Sequence, residues 1–269
     1  MRLLKLTIAY DGTAYAGWQV QRNEPTVQGA LEAAIAQVTG QAVRVLASGR
    51  TDAGVHALGQ VVGLRTESAL PPEVLLRAIN AVLPHDIAVL DAAETPEGFH
   101  PIRDVLRKRY RYVIHDGPVR DVFQRRYVWH YGRGRLDAEA MQRAAAPLVG
   151  RHDFRSFESS GAERQSSVRT IFELRVERGR GGEPDFLPHA EREEYEECIV
   201  IEVEADGFLY NMVRAIVGTL VQVGCGRQPE SWPGEVLRAA DRRVAGPTAP
   251  PQGLFLLRVQ YERRGEREV

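Results

Sequence analysis

The order of strand-like and helix-like segments constrains the fold of this chain more than any other feature of its sequence. Strict alternation of apolar and polar residues predicts a strand, and apolar residues spaced three and four apart predict a helix. In the first hundred residues these patterns predict a strand at 2–10, a helix at 27–38, strands near 42–47 and 58–65, a helix at 73–83 and a strand near 86–92. Thr26 is expected to cap the first helix and Gly40 to end it.

The same strand-helix-strand-strand-helix-strand order recurs in the rest of the chain, with one additional strand before it and a further helix ahead of its last strand. The predicted segments are strands at 109–115 and near 126–131, a helix near 137–148, strands near 168–177 and 198–205, a helix at 208–223, a helix near 233–241 and a strand near 254–260. The polar, glycine-rich stretch 178–197 is expected to be a loop inserted into a hairpin. Two such sets predict an α+β protein of two ferredoxin-like (RRM-like) β-α-β-β-α-β subdomains, residues 1–103 and 104–269.

The net charge of −1 conceals two oppositely charged stretches. Residues 101–135 carry ten basic and three acidic side chains, whereas residues 183–206 carry ten acidic side chains and one arginine. Of the 35 basic residues, all but Lys5 and Lys108 are arginines. Such blocks are usually solvated surfaces. The planar arginine fork also suits phosphate, however, so an anionic polymer is a candidate partner.

The sequence disfavours several classes of protein. It contains no apolar run of about 20 residues, which a membrane helix requires, and its first ten residues are typical of a strand rather than a signal peptide. Cys198 and Cys225 have no paired spacing, which disfavours a disulfide framework and a zinc cluster. We therefore expect a cytoplasmic protein that binds no metal and no membrane.

A tight turn in the stretch ASGRTDAGVHALGQVV, residues 47–62, brings several chemically active residues together. An aspartate in such a turn commonly caps a helix or forms an Asx-turn. Asp52, however, lies two residues from Arg50, and a nearby cation keeps a partly buried carboxylate ionised. An ionised, shielded aspartate can act as a covalent nucleophile. His56 is either a base or a packed histidine at the start of a strand.

The segment FLYNMVRAIVGTLVQVG is apolar nearly all round, so it is expected to be a buried helix. One stripe at helical spacing differs from the rest and contains Gly207, Asn211, Arg214, Gly218 and Gln222. Arg214 either extends to water along this stripe or is a buried cation that needs an acidic partner. Asp52 is the candidate partner, and this pairing would put the site in a central cleft between the two halves.

The strand at 109–115 carries side chains suited to RNA. Tyr110 and Tyr112 face one side of this strand, and Arg109 and Arg111 face the other. Paired tyrosines on a strand are commonly core residues, but aromatic residues on a ferredoxin-like sheet also stack on unpaired bases. Tyr110 and the two arginines are therefore candidate substrate contacts.

The N-terminal segment YDGTAYAGWQVQRN, residues 10–23, is rich in turn-forming residues. Its Gln19, Gln21 and Arg22 are candidate contacts to the sugar, base or phosphate of a nucleic acid. Trp18 is either a further contact of this kind or a packed core residue, and the segment alone does not distinguish the two.

Seven segments together resemble the bacterial tRNA pseudouridine synthase I (TruA) family. In chain order they are YDGTAYAGWQVQ, TVQGALEAAI, ASGRTDAGVHALGQV, RKRYRY, DFRSF, GFLYNMVRAIVGTLVQVG and GLFLLRV. The resemblance implies an isomerase that converts uridine to pseudouridine at positions 38, 39 and 40 of tRNA, in the anticodon arm. It also implies joined antiparallel sheets, a homodimer, and no cofactor or metal. The chain departs from the family mainly in its acidic 178–197 insertion.

The resemblance implies a role for each of five residues. Asp52 matches the family's catalytic aspartate, and Arg50 matches the arginine of the same turn. Tyr110 matches the tyrosine that stacks on the target base, and Arg214 matches the arginine that pairs with the aspartate. Leu254 matches the apolar residue that lines the base pocket.

The mechanism and two other classes of function stay open at this point. Asp52 would attack C1′ of the ribose, attack C6 of the uracil, or remove the C2′ proton. Arg50 would hold the space that the flipped base vacates or grip its phosphate. A non-catalytic RNA-binding module of the same fold would leave an acidic Asp52 facing RNA, which weakens binding. A glycoside hydrolase needs two facing carboxylates, and the turn offers one.

Overall fold

The structure of the protein, a computed structural model, describes residues 1–96, 98–159, 161, 166–179 and 197–261. It is a mixed α+β protein, as predicted. The chain divides into two compact units, one made of Met1–Lys108 with the chain from Phe255 onward, and the other of Arg109–Leu254. The predicted subdomain boundaries, 1–103 and 104–269, stay a prediction.

The described strands and helices follow the predicted order closely. The strands are β1 Arg2–Tyr10, β2 Leu46–Ala47, β3 His56–Thr66, β4 Ile87–Glu94, β5 Val105–His115, β6 Trp129–His130, β7 Gly150–Asp153, β8 Val168–Arg178, β9 Cys198–Ala205 and β10 Leu254–Tyr261. The α-helices are α1 Val27–Thr39, α2 Pro72–Asn80, α3 Ala138–Ala145, α4 Met212–Gly224 and α5 Trp232–Ala239. None of these helices is long and apolar enough to cross a membrane.

The first unit contains the predicted β-α-β-β-α-β order. β1 pairs antiparallel with both β3 and β4, and β2 pairs antiparallel with β3 opposite Val62 and Gly63. β10 pairs parallel with β3 at the other end of that strand, where Phe255 is opposite His56. Leu4, Leu6 and Ile8 alternate along β1 and are completely buried, as the period of a half-buried strand requires.

The ends of α1 are those that the sequence predicts. The Thr26 side chain accepts a hydrogen bond from Gly29 N at 3.2 Å, which satisfies one of the unpaired amides of the first turn. Gly40 follows the helix with a φ of 69°, in the left-handed region that favours glycine. The capping prediction for Thr26 and Gly40 is therefore confirmed.

In the second unit, β5 is hydrogen-bonded to β9, β9 to β8, and β8 to β7. β8 runs antiparallel to both of its neighbours, and the short β6 runs parallel to the end of β5. The helix α4 is buried almost all round, as its apolar sequence predicts. β8 and β9 form the predicted hairpin. Most of the loop predicted at 178–197 falls on residues 180–196, outside the described residues.

Several elements differ from the prediction. The predicted strand at 42–47 is reduced to β2, and that at 126–131 is reduced to β6. The helix predicted from residue 208 begins at Met212, because Asn211 has a left-handed φ of 61°. The strand β7 was missed, because its sequence GRHD has no apolar alternation and it is defined by backbone pairing with β8.

Candidate active site

Residues 48–55, here called the Asp52 loop, connect β2 to β3 and are held against the N-terminal segment by backbone hydrogen bonds. Trp18 N donates to Thr51 O at 3.0 Å, and Gly54 N donates to Tyr15 O at 3.3 Å. Within the loop, Val55 N donates to Asp52 O at 3.1 Å. The backbone around Asp52 is therefore fixed from both sides, which is the condition for holding a reactive group in one geometry.

Two glycines of the N-terminal segment allow this close contact. A Cβ atom on Gly12 would lie 2.0 Å from the carbonyl oxygen of Val55. Gly17 has a φ of 97°, and a Cβ atom there would lie 2.8 Å from Thr51 O. Both positions therefore require glycine, because any side chain would displace the loop. The motif YDGTAYAGW thus serves as a frame for the Asp52 loop.

Buried side chains fasten the frame to the loop. The hydroxyl groups of Tyr10 and Thr51 form a hydrogen bond of 2.8 Å. Burial raises the pKa of Tyr10 to about 12, so this hydroxyl stays protonated at neutral pH. Trp18 is only 2% exposed, which identifies it as a packed residue rather than a contact to RNA.

His56, the first residue of β3, is packed rather than presented to solvent. It is 1% exposed and stacks on Phe255, with ring centroids 4.7 Å apart. Its Nδ1 accepts a hydrogen bond from Gly12 N at 3.1 Å, and Asp11 Oδ1 also lies 3.1 Å away. Of the two roles that the sequence left open, the structure therefore supports the packed histidine.

The start of the Asp52 loop is held by a second set of contacts. Gln60 Nε2 donates to Gly49 O at 2.9 Å, and Lys108 Nζ donates to Ser48 O at 2.8 Å. A Cβ atom on Gly49 would lie 2.7 Å from Lys108 Nζ, so glycine makes room for this lysine. The sequence did not single out Gln60 or Lys108, because neither belongs to a motif whose spacing has a chemical meaning.

Two charged residues of the loop keep accessible surface on this fixed backbone. Thr51 and Val55 are buried, whereas Asp52 is half-buried and Arg50 is exposed. A substrate that reaches the loop can therefore meet a carboxylate and a guanidinium whose backbone is already positioned. Such an arrangement suits nucleophilic or general-base chemistry, in which a group fixed in advance needs little reorganisation.

Tyr110 and Tyr112 of β5 have different environments. Tyr112 is fully buried and donates to Pro250 O at 2.7 Å. Burial raises the pKa of Tyr112 well above its usual value, and the positive charge of Arg214 partly opposes the rise. Tyr110 is 8% exposed and meets the ring of Phe208 edge to face, with centroids 4.9 Å apart. Tyr112 is therefore a structural residue, and Tyr110 keeps a small accessible surface.

Arg214 on α4 holds the turn that precedes β10. Its Nε donates to Ala249 O at 2.7 Å, and its Nη1 donates to Asn211 Oδ1 at 2.7 Å. One turn further along the helix, a Cβ atom on Gly218 would lie 1.6 Å from Pro247 O. Gly218 of the polar stripe therefore admits the backbone of this turn, because any side chain there would clash with it.

In a comparison with known protein families, the family model described as tRNA pseudouridine synthase matches residues 6–102 and 144–262 of this chain. These two segments make up most of the chain and include the Asp52 loop and Arg214. The chain belongs to the tRNA pseudouridine synthase family. The family resemblance drawn from the sequence motifs is confirmed.

Curated members of the tRNA pseudouridine synthase family align with nearly the whole chain. The tRNA pseudouridine synthase A of Moorella thermoacetica is 49% identical over 264 residues, covering 97% of this chain and 100% of that protein. The proteins of the same name from Geotalea uraniireducens and Thermoanaerobacter sp. are 45% and 43% identical, and each alignment likewise covers 97% of this chain and 100% of the relative. Tyr110 lies between the two segments of the family match.

Among solved structures, the archaeal box H/ACA sRNP Nop10-Cbf5 complex covers 81% of this chain and 43% of the matched chain. The TM-score is 0.32 and the sequence identity 13%, so this likeness carries no argument about the fold.

The predicted substrate contacts of the N-terminal segment lie on its surface. Gln21 and Arg22 are exposed, and Gln19 is half-buried. Gln21 Nε2 donates to Ala16 O at 2.8 Å. Leu254 is 5% exposed at the start of β10. Their contacts with substrate stay predictions.

Arg109 and Arg111 were also predicted as substrate contacts, but the structure gives their guanidinium groups protein partners. Arg109 contacts Glu173, Glu202 and Glu204, with Nη1 2.9 Å from Glu202 Oε2. Arg111 is 2% exposed, and its Nη2 lies 2.6 Å from Glu202 Oε1. These arginines neutralise carboxylates on neighbouring strands, so we do not propose them as contacts to RNA. The sequence showed opposite charges in separate blocks, but not that β5 and β9 pair.

Within the described ranges, no group of three or more His, Cys, Asp or Glu side chains is arranged to hold a metal ion. Cys198 is buried, and Cys225 is half-buried. Burial raises the pKa of Cys198 to about 12, so its thiol is protonated at neutral pH.

Proposed function

We propose that this chain isomerises uridine to pseudouridine in tRNA, and that its targets are positions 38, 39 and 40 in the anticodon arm. The observation that carries the proposal is the family match over residues 6–102 and 144–262, which includes the framed Asp52 loop. The relatives named tRNA pseudouridine synthase A support it, because each aligns over its whole length. The target positions rest on the resemblance of the sequence motifs.

The reaction breaks the bond between C1′ and N1 of a uridine, turns the uracil, and joins C1′ to C5. The proton on C5 is lost, and N1 gains one, so atoms and charge balance without oxidation or hydrolysis. The base must leave its stack before a protein group can reach it, which costs a few kcal/mol. The residues therefore have to hold an extruded nucleotide and start the breaking of one C–N bond.

Asp52 is proposed as the residue that starts the reaction. Its backbone is fixed by the N-terminal frame, and its side chain keeps part of its surface accessible. Three steps are compatible with this position: attack on C1′, attack on C6, or removal of the C2′ proton. Arg50, two residues away and exposed, is proposed to fill the space of the flipped base or to hold its phosphate.

Tyr110, Arg214 and Leu254 are proposed to complete the site. Tyr110 would stack on the uracil and assist proton transfer at C5. Arg214 would keep Asp52 ionised, and Leu254 would line the base pocket. Exclusion of water by such a site would protect a covalent intermediate from hydrolysis. Gln19, Gln21 and Arg22 are retained as proposed contacts to tRNA.

The finer features of the predicted fold and assembly are part of the same proposal. They are two ferredoxin-like subdomains, joined antiparallel sheets, a central cleft, a homodimer and a cytoplasmic location. In the first unit, the β-α-β-β-α-β order and the pairing of β1 with β3 and β4 support the first of these features.

Replacement of the Tyr110 hydroxyl separates stacking from proton transfer. Tyr110→Phe keeps the ring and its contact with Phe208, so tRNA affinity should be unchanged. If the hydroxyl assists proton transfer, turnover should fall by about 10²-fold. Single-turnover assays of pseudouridine formation measure this loss. Turnover equal to that of the unmodified protein would leave Tyr110 as a stacking platform only.

The proposed function is tested by mapping pseudouridines in a tRNA transcript before and after incubation with the purified protein. We expect new pseudouridine at positions 38, 39 and 40 and at no other uridine. Pseudouridine elsewhere in the tRNA would overturn the assigned positions. Binding without any product, together with tighter binding by Asp52→Ala, would instead favour the non-catalytic RNA-binding module.

A further inference from the structure

The second unit contains a pocket of about 420 Å³ that none of the roles assigned above uses. Its walls are residues 129–133, one side of α4 with the residues after it, and the turn 247–250. This cavity, here called the Trp129 pocket, falls within the range of about 300–1,000 Å³ that is typical of small-molecule sites. Asp52 belongs to the first unit and is not among its lining residues.

Four polar side chains that line the Trp129 pocket have no protein partner among the described residues. Among the described residues, the exposed guanidinium groups of Arg133 and Arg227 make no ion pair or hydrogen bond, and the same holds for the Trp129 indole N–H and the Gln222 amide. Elsewhere in this unit, Arg109 and Arg111 are fully engaged by glutamates. Two cations and two neutral hydrogen-bonding groups thus line one cavity and remain available to a ligand.

Aromatic rings and the two cations line the same pocket. Trp129 and Tyr131 meet edge to face, with centroids 5.6 Å apart, and Trp129 is half-buried. Burial and a hydrogen bond with Cys225 raise the pKa of Tyr131, whereas the charges of Arg227 and Arg133 lower it. The charges of both guanidinium groups therefore act on the same Tyr131 hydroxyl.

The turn 247–250, another wall of the pocket, is fixed by hydrogen bonds. Tyr112 donates to Pro250 O and Arg214 to Ala249 O, both at 2.7 Å. Arg242 Nη2 donates to Thr248 Oγ1 at 2.8 Å. These bonds hold the turn 247–250 in place before any ligand arrives, and a pocket formed in advance loses little free energy to ordering when it binds.

We propose that the Trp129 pocket binds one unstacked nucleotide of the tRNA, with its phosphate on Arg133 and Arg227 and its base against Trp129. Paired arginine forks suit the phosphate, an indole surface suits a base of any sequence, and the Gln222 amide can bond to a base edge. The proposal rests on the proposed function, because it takes tRNA as the substrate. It adds a nucleotide site on the second unit, whose Trp129, Arg133 and Arg227 lie outside the seven motifs.

The test measures the affinity of an unmodified tRNA transcript for Arg133→Ala, Arg227→Ala and the double variant. Arg151→Ala is the matched control, because Arg151 is exposed, makes no side-chain bond within the described part of this unit, and lies outside the pocket. Each single variant should bind tRNA about tenfold more weakly. The slope of log affinity against log salt concentration should fall in magnitude by about one. The control should bind as the unmodified protein does.

Two further variants test the geometry of the contacts. Arg133→Lys keeps the charge but removes the planar fork, so it should recover only part of the lost affinity. Gln222→Ala should weaken binding with no change in salt slope, because it removes a neutral contact. Equal losses of tRNA affinity in Arg133→Ala and Arg151→Ala would overturn the proposal in favour of a general attraction between positive charge and RNA. Altered sedimentation of the double variant with unchanged tRNA affinity would overturn it in favour of a contact with a second copy.

The outcomes for the pocket and for the proposed function are distinguishable. If the unmodified protein forms pseudouridine and the double variant binds tRNA normally, the pocket proposal fails and the proposed function stands. If the unmodified protein forms no pseudouridine and the double variant still binds tRNA weakly, the proposed function fails and the pocket stands as an RNA site.

Discussion

Asp52→Asn is expected to reduce pseudouridine formation by about 10⁴-fold or more, while tRNA affinity stays within about threefold of that of the unmodified protein. An amide has nearly the same size and hydrogen-bonding reach as a carboxylate. It is neither a nucleophile nor a base, however, so each of the three proposed first steps is lost. Binding is preserved because removal of an acidic charge near RNA does not weaken phosphate contacts.

The measurement for Asp52→Asn is release of tritium from tRNA labelled at C5 of uridine, under single-turnover conditions. Asp91→Asn is the matched control, because Asp91 is an exposed aspartate on β4 of the same unit. It should release tritium at the rate of the unmodified protein. Substantial release by Asp52→Asn would show that another group starts the reaction.

Gly12→Ala is expected to lower turnover by about 100-fold, although Gly12 itself contacts no substrate in the proposed mechanism. The added Cβ would lie 2.0 Å from Val55 O, and the Asp52 loop must retreat to relieve this clash. The shift required is about 1 Å, and a displacement of that size at a reacting group lowers rates by about 10²-fold. Overpacking at this buried position should also lower the free energy of unfolding by about 1–3 kcal/mol.

A control separates displacement of the loop from general loss of stability. Gly40→Ala puts an alanine at a φ of 69° with no atom within 4 Å, so it introduces backbone strain without a clash. It should lower the free energy of unfolding by about 1–2 kcal/mol and leave turnover unchanged. Urea denaturation and turnover are measured on both variants. If Gly12→Ala lost stability yet retained turnover, the N-terminal frame would not position the Asp52 loop.

Local sequence patterns predicted the elements whose boundaries depend on neighbouring residues. Thr26 and Gly40 bound α1 as expected, since capping is decided by a few adjacent side chains. The alternating residues of β1 and the apolar sequence of α4 also predicted these two elements correctly. A strand buried on one face has apolar residues at every second position, and a helix buried on all sides is apolar throughout. β7 had no such period and was missed.

The roles of several residues could not be predicted from the chain. The polar N-terminal segment suggested contacts to RNA, but Trp18 is buried and the glycines of the segment fit the backbone of a loop some forty residues further along. The basic strand at 109–115 suggested contacts to phosphate, but Arg109 and Arg111 pair with glutamates on β9. In both cases the partner is distant in sequence, and spacing along a chain contains no information about it.

The sequence by itself determined the family, the α+β class, the element order and the identity of the candidate aspartate. These depend on motifs and on hydrophobic periods, which are properties of contiguous residues. Only the tertiary structure decided which residues hold the Asp52 loop, which arginines are neutralised, and which remain available around the Trp129 pocket. The physical reason is that strand pairing and close packing bring together groups far apart in the chain. The partner found there decides whether a charge or a glycine serves stability or a ligand.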